Sequence, residues 1–207
     1  MEAICSKHLM ASLVIILASS LTLSQGAKKG RDSERPYQEA STVFIRTSCS
    51  STTYPRLCYS SLVKHADLIQ TNREVLTDTA LNVTLASAKS TSAMMSRLAK
   101  RQGLKPREVA AMKDCVGVLA DSVDELRRSL SEMAHLTPSN FEMTMSDVET
   151  WVSAALTDEC TCTDGFQETT AAGGSTVASM VRGQIQQVAQ LTSNALALIT
   201  QLANSHA

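Results

Sequence analysis

The sequence predicts an all-α protein, an antiparallel four-helix bundle, on three observations. Aromatic residues are only 3% of the chain, with 8 Gly and 4 Pro, while Ala, Ser, Thr, Leu and Val dominate. That composition favours helices packed through small contacts over a sheet, which draws on Tyr, Phe and Trp. Apolar residues then recur at spacings of three and four over long stretches. The stretches are joined by short polar segments, as antiparallel neighbours require.

The first bundle helix is expected from Asp67 to Lys100, with Leu68, Val75, Leu76, Thr79, Val83, Ala86, Met94 and Leu98 in register. The segment "RQGLKP" breaks it, Gly103 suiting a helix C-terminus and Pro106 a first turn. A second helix follows from about Arg107 to Met133, with Cys115, Leu119, Ser122, Val123, Leu126 and Leu130 on one face. "HLTPSNFEMT" reads as a connection. A short third helix is expected to start at Ser146, whose partner Glu149 completes a capping-box pattern, and to run through "WVSAALT" with Trp151 as a core anchor. The last helix is expected from Gly174 to Leu202.

Ahead of the bundle, Lys7 and His8 precede an apolar run from Leu9 to about Leu23, then "SQGA" and the basic cluster "KKGR". This is the layout of a secretory signal, assigned to residues 1–26, and the run is too short and too rich in Ser and Thr for a membrane span. Residues 27–40 read as a flexible polar leader, and 41–204 as one domain. The mature chain is thus expected outside the cell, with no membrane attachment. It keeps Cys49, Cys58, Cys115, Cys160 and Cys162, which in an oxidising compartment are read first as bridges. In one straight helix, Cys49 and Cys58 would lie about 13 Å apart, beyond disulfide reach. Either they are unpaired or the chain doubles back between them.

Candidate chemistry is thin. His65, His135 and His206 are too scattered for a base beside a nucleophile. Cys160-Thr-Cys162 lacks zinc-knuckle spacing and a second ligand pair, so no metal is expected. "AAGGST" lacks the lysine and preceding strand of a phosphate loop. Asp121 and Asp124 are paired carboxylates without a cleft to serve. No cofactor and no catalytic activity are expected. The net charge of −1 makes no case for nucleic acid. Between Ser129 and Val181, however, no Lys or Arg occurs, while Glu132, Glu142, Asp147, Glu149, Asp158, Glu159, Asp164 and Glu168 do. Such a run is a solvated surface or one complementary to a protein partner, in which case binding should respond to pH and salt. Asn82-Val83-Thr84 is a glycosylation sequon within the first bundle helix.

"TSCSSTTYPRLCYSSL", "DCVGVLADSVDELRRSL", "DVETWVSAALTDECTCTDGF" and a long amphipathic last helix occur in order over about residues 40–204. Together they resemble the plant invertase/pectin methylesterase inhibitor family. The resemblance implies a bundle (67–204) preceded by a small disulfide-closed helical hairpin (41–66). It implies that Cys49 pairs with Cys58; locally, Ser50 to Thr53 and Pro55 supply turn chemistry, and such a staple stabilises by roughly 2–3 kcal/mol in the loop-entropy account. It implies a second bridge from Cys115 to Cys162, the cysteine just before "TDGF". Cys160 is then an extra, free thiol, which leaves open a Cys115–Cys160 bridge or an intermolecular one.

The family inhibits two enzyme classes on one fold. "DVETWVSAALT" followed by "TCTDGF" looks like the pectin methylesterase branch and the pro-regions of those esterases; with no catalytic domain after Ala207, a free inhibitor is expected. The Pro-Lys-Phe motif associated with the invertase branch is absent from "TPSNFEMTMSD", although Phe141 is present. The resemblance therefore implies a secreted cell-wall (apoplast) inhibitor of pectin methylesterase. It would bind non-covalently as a 1:1 complex, with its second to fourth bundle helices across the substrate cleft. Asp121, Asp124, Thr161 and Asp164 match the contact surface, although Asp164 also suits a cap. The alternatives are inhibition of acid invertase, or a structural or signalling bundle that binds neither enzyme.

Overall fold

The computed structural model describes residues 35–101, 103–171 and 175–206, and the side chains of all of these except 35–37 and 167–171. The expected signal at 1–26 lies outside them. All secondary structure among the described residues is helical: α1 (Arg35–Ser50), α2 (Pro55–Leu62), a 3-10 turn (Val63–His65), α3 (Ala66–Ile69), α4 (Arg73–Leu98), α5 (Pro106–Met133), α6 (Phe141–Ala171) and α7 (Thr176–Asn204). None of these helices is long and apolar enough to cross a membrane. Helices α4 to α7 form a closed ring in which α4 packs on α5, α5 on α6, α6 on α7 and α7 on α4. Helices α1 and α2 form the hairpin, which lies against α4 and α7.

Local chemistry explains most boundaries. The Asn72 side chain accepts from the Glu74 and Val75 N–H groups at 2.8 and 3.1 Å and starts α4. The bundle therefore begins at Arg73 rather than Asp67. Residues 66–69 are a separate turn, ended by Gln70 in a positive-φ conformation (53°). Gly103 takes the left-handed conformation (φ 89°) before Pro106 opens α5. Glu108 reaches back to the Lys105 N–H at 3.0 Å, and its other oxygen accepts from the Ser175 N–H at 2.7 Å, so one carboxylate ties the starts of α5 and α7. Ser175 in turn caps α7 by accepting from the Ala178 N–H.

Two expectations are corrected. The polar leader is not loose to residue 40, because α1 begins at Arg35. Nor is the third helix short or capped by Ser146: α6 begins at Phe141. Asn140 folds the preceding turn by accepting from the Thr137 N–H at 2.7 Å and donating to the His135 carbonyl. With no Gly or Pro after it, nothing in "FEMTM" stops the helix from propagating back from Ser146. Glu149 is left to accept from the Thr200 hydroxyl of α7 at 2.8 Å.

The hairpin is closed by a Cys49–Cys58 disulfide with Cα atoms 5.6 Å apart, so the chain does double back. Arg46 lies over the Tyr59 ring at 4.5 Å and donates to its hydroxyl. Buried Asn194 of α7 holds the turn to the bundle. Its Oδ1 accepts from the Tyr54 N–H at 2.9 Å and its Nδ2 donates to the Tyr54 carbonyl at 3.1 Å. Ser193 donates to Thr53, and Gln201 to the Ser48 carbonyl, along the same line.

The buried apolar residues form two clusters. One joins the hairpin to Leu81, Leu126, Val152 and Leu198. The other, at the opposite end, holds Met95, Met112, Leu119, Phe166 and Ile185 around Cys115 and Cys162. Near their division lie buried Ser122 of α5, Glu159 of α6 and Thr192 of α7. The Ser122 hydroxyl donates to Glu159 Oε1 at 2.8 Å, while Oε2 has no hydrogen-bond partner. Burial pushes the Glu159 carboxyl up to about 8, against which hydrogen bonds from Thr192 and Ser122 pull only weakly.

Two outcomes are expected. Asn194→Ala strands both polar groups of Tyr54, at a cost of about 1–3 kcal/mol, and each kcal/mol lowers Tm by about 2–4 °C in a domain of this size. An unchanged calorimetric Tm would mean the clamp carries no stability. For Glu159, the native state keeps a proton that the unfolded chain has released above its ordinary 4.5, so its contribution is complete below that value and is lost as pH rises toward 8. Urea denaturation of the wild type should therefore show lower stability at pH 8 than at pH 5, by about 1.4 kcal/mol for each pH unit over which only the unfolded state is ionised. Glu159→Gln should flatten that slope; equal slopes would exclude Glu159 as its source.

Candidate functional site

The second disulfide, Cys115–Cys162, joins α5 to α6 with Cα atoms 4.8 Å apart. Cys160, expected to be a free thiol, is disulfide-bonded, and no free cysteine occurs among the described residues. The expectation rests on the family pattern, which leaves Cys160 over once Cys115 pairs with Cys162, and a motif does not show what lies beside a sulfur.

Because α5 and α6 run antiparallel, the bridge fixes which side chains meet on their outer seam. Beside it lies a hollow of about 400 Å³ lined by Arg107, Asp114, Val118 and Thr161, among others. Thr161 is exposed, and its hydroxyl donates to the Thr157 carbonyl at 2.9 Å, which leaves its oxygen as an acceptor facing solvent. Next along the seam, Asp121 and Glu125 of α5 meet Asp158 of α6. Partial burial first, then the charges of Asp158 and Asp121, push the Glu125 carboxyl up to about 7. Asp158 is raised by burial and by Asp121, and is eased by a hydrogen bond with Glu125. Glu125 thus keeps a proton and shares it with Asp158 in mildly acidic solution. Beyond them, the Arg128 guanidinium lies 4.8 Å over the Trp151 ring. Trp151 is half-buried, so it is not the core anchor expected.

Of the four residues singled out by sequence, the structure brings Asp121 and Thr161 to this seam. Asp124 is exposed and forms an ion pair with Arg127, one turn along α5. Exposed pairs of that kind contribute little. Asp164 is exposed on α6, which continues to Ala171, so it sits within a helix and does not cap a segment. Glu125, Asp158, Asp114 and Arg128 were missed. Their signal was present: Asp114, Asp121, Glu125 and Arg128 recur at seven, four and three on α5, and Trp151, Asp158 and Thr161 at seven and three on α6. The acid-only run is not one surface. Glu159 is in the core and Glu149 is bound to Thr200, while the Glu168 side chain lies outside the described residues.

Replacing Asp158 by Asn removes a like charge beside Glu125 and exchanges one of the two carboxylate oxygens for an amide donor. The Glu125 titration midpoint, followed by carbon-13 NMR of its carboxyl, should fall from about 7 toward, but not to, the ordinary 4.5, because burial remains. An unmoved midpoint would mean that the two carboxyls do not interact.

Residues 43–198 match the plant invertase/pectin methylesterase inhibitor family. The chain is 46% identical over 166 residues to the "21 kDa protein" of Daucus carota, covering 79% of this chain and 85% of that one. It is 41% identical over 202 residues to "Pectinesterase inhibitor 9" of Arabidopsis thaliana, covering 95% of this chain and 96% of that one. A crystal structure of a pectin methylesterase inhibitor from Arabidopsis thaliana superposes with a TM-score of 0.53 at 25% identity, over 76% of this chain and 95% of that one. With the family model matched over most of the chain and relatives above 40% identity covered over most of their length, this chain belongs to the plant invertase/pectin methylesterase inhibitor family.

Proposed function

We propose that this protein is a secreted inhibitor of pectin methylesterase with no catalysis of its own. It acts in the cell wall by setting the α5–α6 seam, with α7 beside it, across the enzyme's substrate cleft in a 1:1 complex. The observation that carries the reading is the seam itself. A disulfide locks two long helices in register, and they present carboxylates, a threonine oxygen and an arginine-stacked tryptophan along one seam. A helix pair of this kind fills a groove without offering a scissile bond, and its carboxylates match the hydroxyl and amide donors of a sugar-binding cleft. The family membership and the curated pectinesterase inhibitors at 37–41% identity over nearly the whole chain support the esterase as target. The signal-type start and the disulfides support secretion.

Residues 27–207, folded under oxidising conditions, should abolish methyl-ester hydrolysis by a plant pectin methylesterase at about one equivalent and leave acid invertase untouched. Asp121→Ala and Thr161→Ala should each weaken inhibition by about 1–3 kcal/mol, the cost of leaving a buried hydrogen-bonding partner unmatched. Asp124→Ala should change it by less than 1 kcal/mol, as expected for an exposed pair. Loss of sucrose cleavage with intact esterase activity would overturn the target, and a seam insensitive to Asp121 and Thr161 would overturn the binding face.

A further inference from the structure

A groove of about 700 Å³ lies between the hairpin and the bundle, walled by α2 and the 3-10 turn on one side and by α4 and α7 on the other. It has apolar walls at Leu57, Val83 and Leu191 and polar groups at Ser60, Asp78 and Gln187. Asn82, the acceptor of the only Asn-X-Ser/Thr sequon within α4, is itself part of that lining and is exposed. We propose that Asn82 carries an N-linked glycan whose first sugars lie in this groove. A pyranose ring has C–H faces and a hydroxyl rim, and the groove offers apolar walls beside hydrogen-bonding groups over a volume suited to a small ligand. The inference rests on the secreted reading above, since only there does the chain meet the glycosylating machinery.

The transfer is balanced by a lipid pyrophosphate-linked oligosaccharide as donor. The Asn82 Nδ2–C1 bond forms as the C1–O bond to phosphate breaks, one Nδ2 proton is lost, and the lipid pyrophosphate leaves. In the folded protein Thr84 is buried, with its hydroxyl donating to the Ala80 carbonyl at 2.8 Å, so the sequon is available only before α4 forms. Folded Asn82 spends both amide hydrogens on Asp78, at 2.9 Å to its carbonyl and 3.0 Å to its carboxylate. Glycosylation leaves one hydrogen, which frees one Asp78 acceptor on the groove wall for a sugar hydroxyl. The groove lies on the α4–α7 side of the ring, opposite the α5–α6 seam, so a glycan there does not cover the face proposed to meet the enzyme.

The test is expression of the full chain and of Asn82→Gln in a plant secretory host, with mass analysis of medium and cells. Secreted wild type heavier than its polypeptide by one glycan, with the variant at polypeptide mass and equally inhibitory, is the expected result. Diethyl pyrocarbonate should then modify His65, which lines the groove, several-fold more slowly in the glycosylated protein than in the variant, while His135 reacts equally in both. Secretion with Asn82 unmodified would overturn this inference and leave the secreted inhibitor intact. Retention in the cytosol would overturn both. A glycan that leaves His65 reactivity unchanged would overturn its seat in the groove, as would a His65 equally protected in the variant, where another part of the chain would have to fill the space.

Discussion

The register between α5 and α6 governs the rest of the molecule. It is set twice, by the Cys115–Cys162 bridge and, two turns along α5, by the Ser122–Glu159 hydrogen bond. Each residue of slip turns a helix by about 100°. A shift of one would carry Glu159 toward solvent and take Asp158 away from Glu125. The same register fixes the core on the inside and the carboxylate seam on the outside. A covalent and a polar constraint are used together because the helices themselves are poorly specified: small Ala, Ser and Thr side chains fit several registers nearly equally well.

Two buried glutamates show how strongly donors decide charge. Glu108 accepts from two backbone N–H groups at helix starts, and those bonds, led by that of Ser175, hold its carboxyl below the usual range. Glu159 receives hydroxyls only and has one oxygen without a partner, so burial dominates and it stays protonated. One is an ionised tie between two helix ends, the other a neutral acid in the core. Their pH responses have opposite sign: Glu108 supports the fold above the ordinary carboxyl range, Glu159 below it. In mildly acidic solution the second stays protonated, and there the Glu125–Asp158 pair also shares its proton.

The hairpin belongs to this scheme as a dependent part. Eight residues of α2 cannot hold themselves as an isolated helix. The Cys49–Cys58 staple limits the turn, and Asn194 then reads both backbone groups of Tyr54 as a neighbouring strand would. Through that clamp the hairpin closes one wall of the groove above α4 and caps the larger apolar cluster.

Much was legible in the residues. Period-three-and-four apolar spacing gave α4, α5 and α7, because a helix that must bury one face writes that face into its sequence. Gly103 and Pro106 marked their turn because their backbone limits are local. The family motifs implied the hairpin and both bridged pairs. Three things escaped. The start of α6 at Phe141 was hidden behind a good local cap at Ser146, since a capping pattern says where a helix can begin, while the Asn140 turn and the lack of a breaker in "FEMTM" set where it does. The state of Cys160 was invisible to a motif. And the seam was only half seen: Asp121 and Thr161 were picked out, but Glu125 and Asp158, 33 residues apart in the chain, acquire their shared proton only when α5 and α6 are brought together. The sequence by itself determined the helices and their buried faces, which depend on neighbours three and four positions away. Tertiary structure alone decided which carboxyls ionise, because that depends on burial and on donors contributed by other helices.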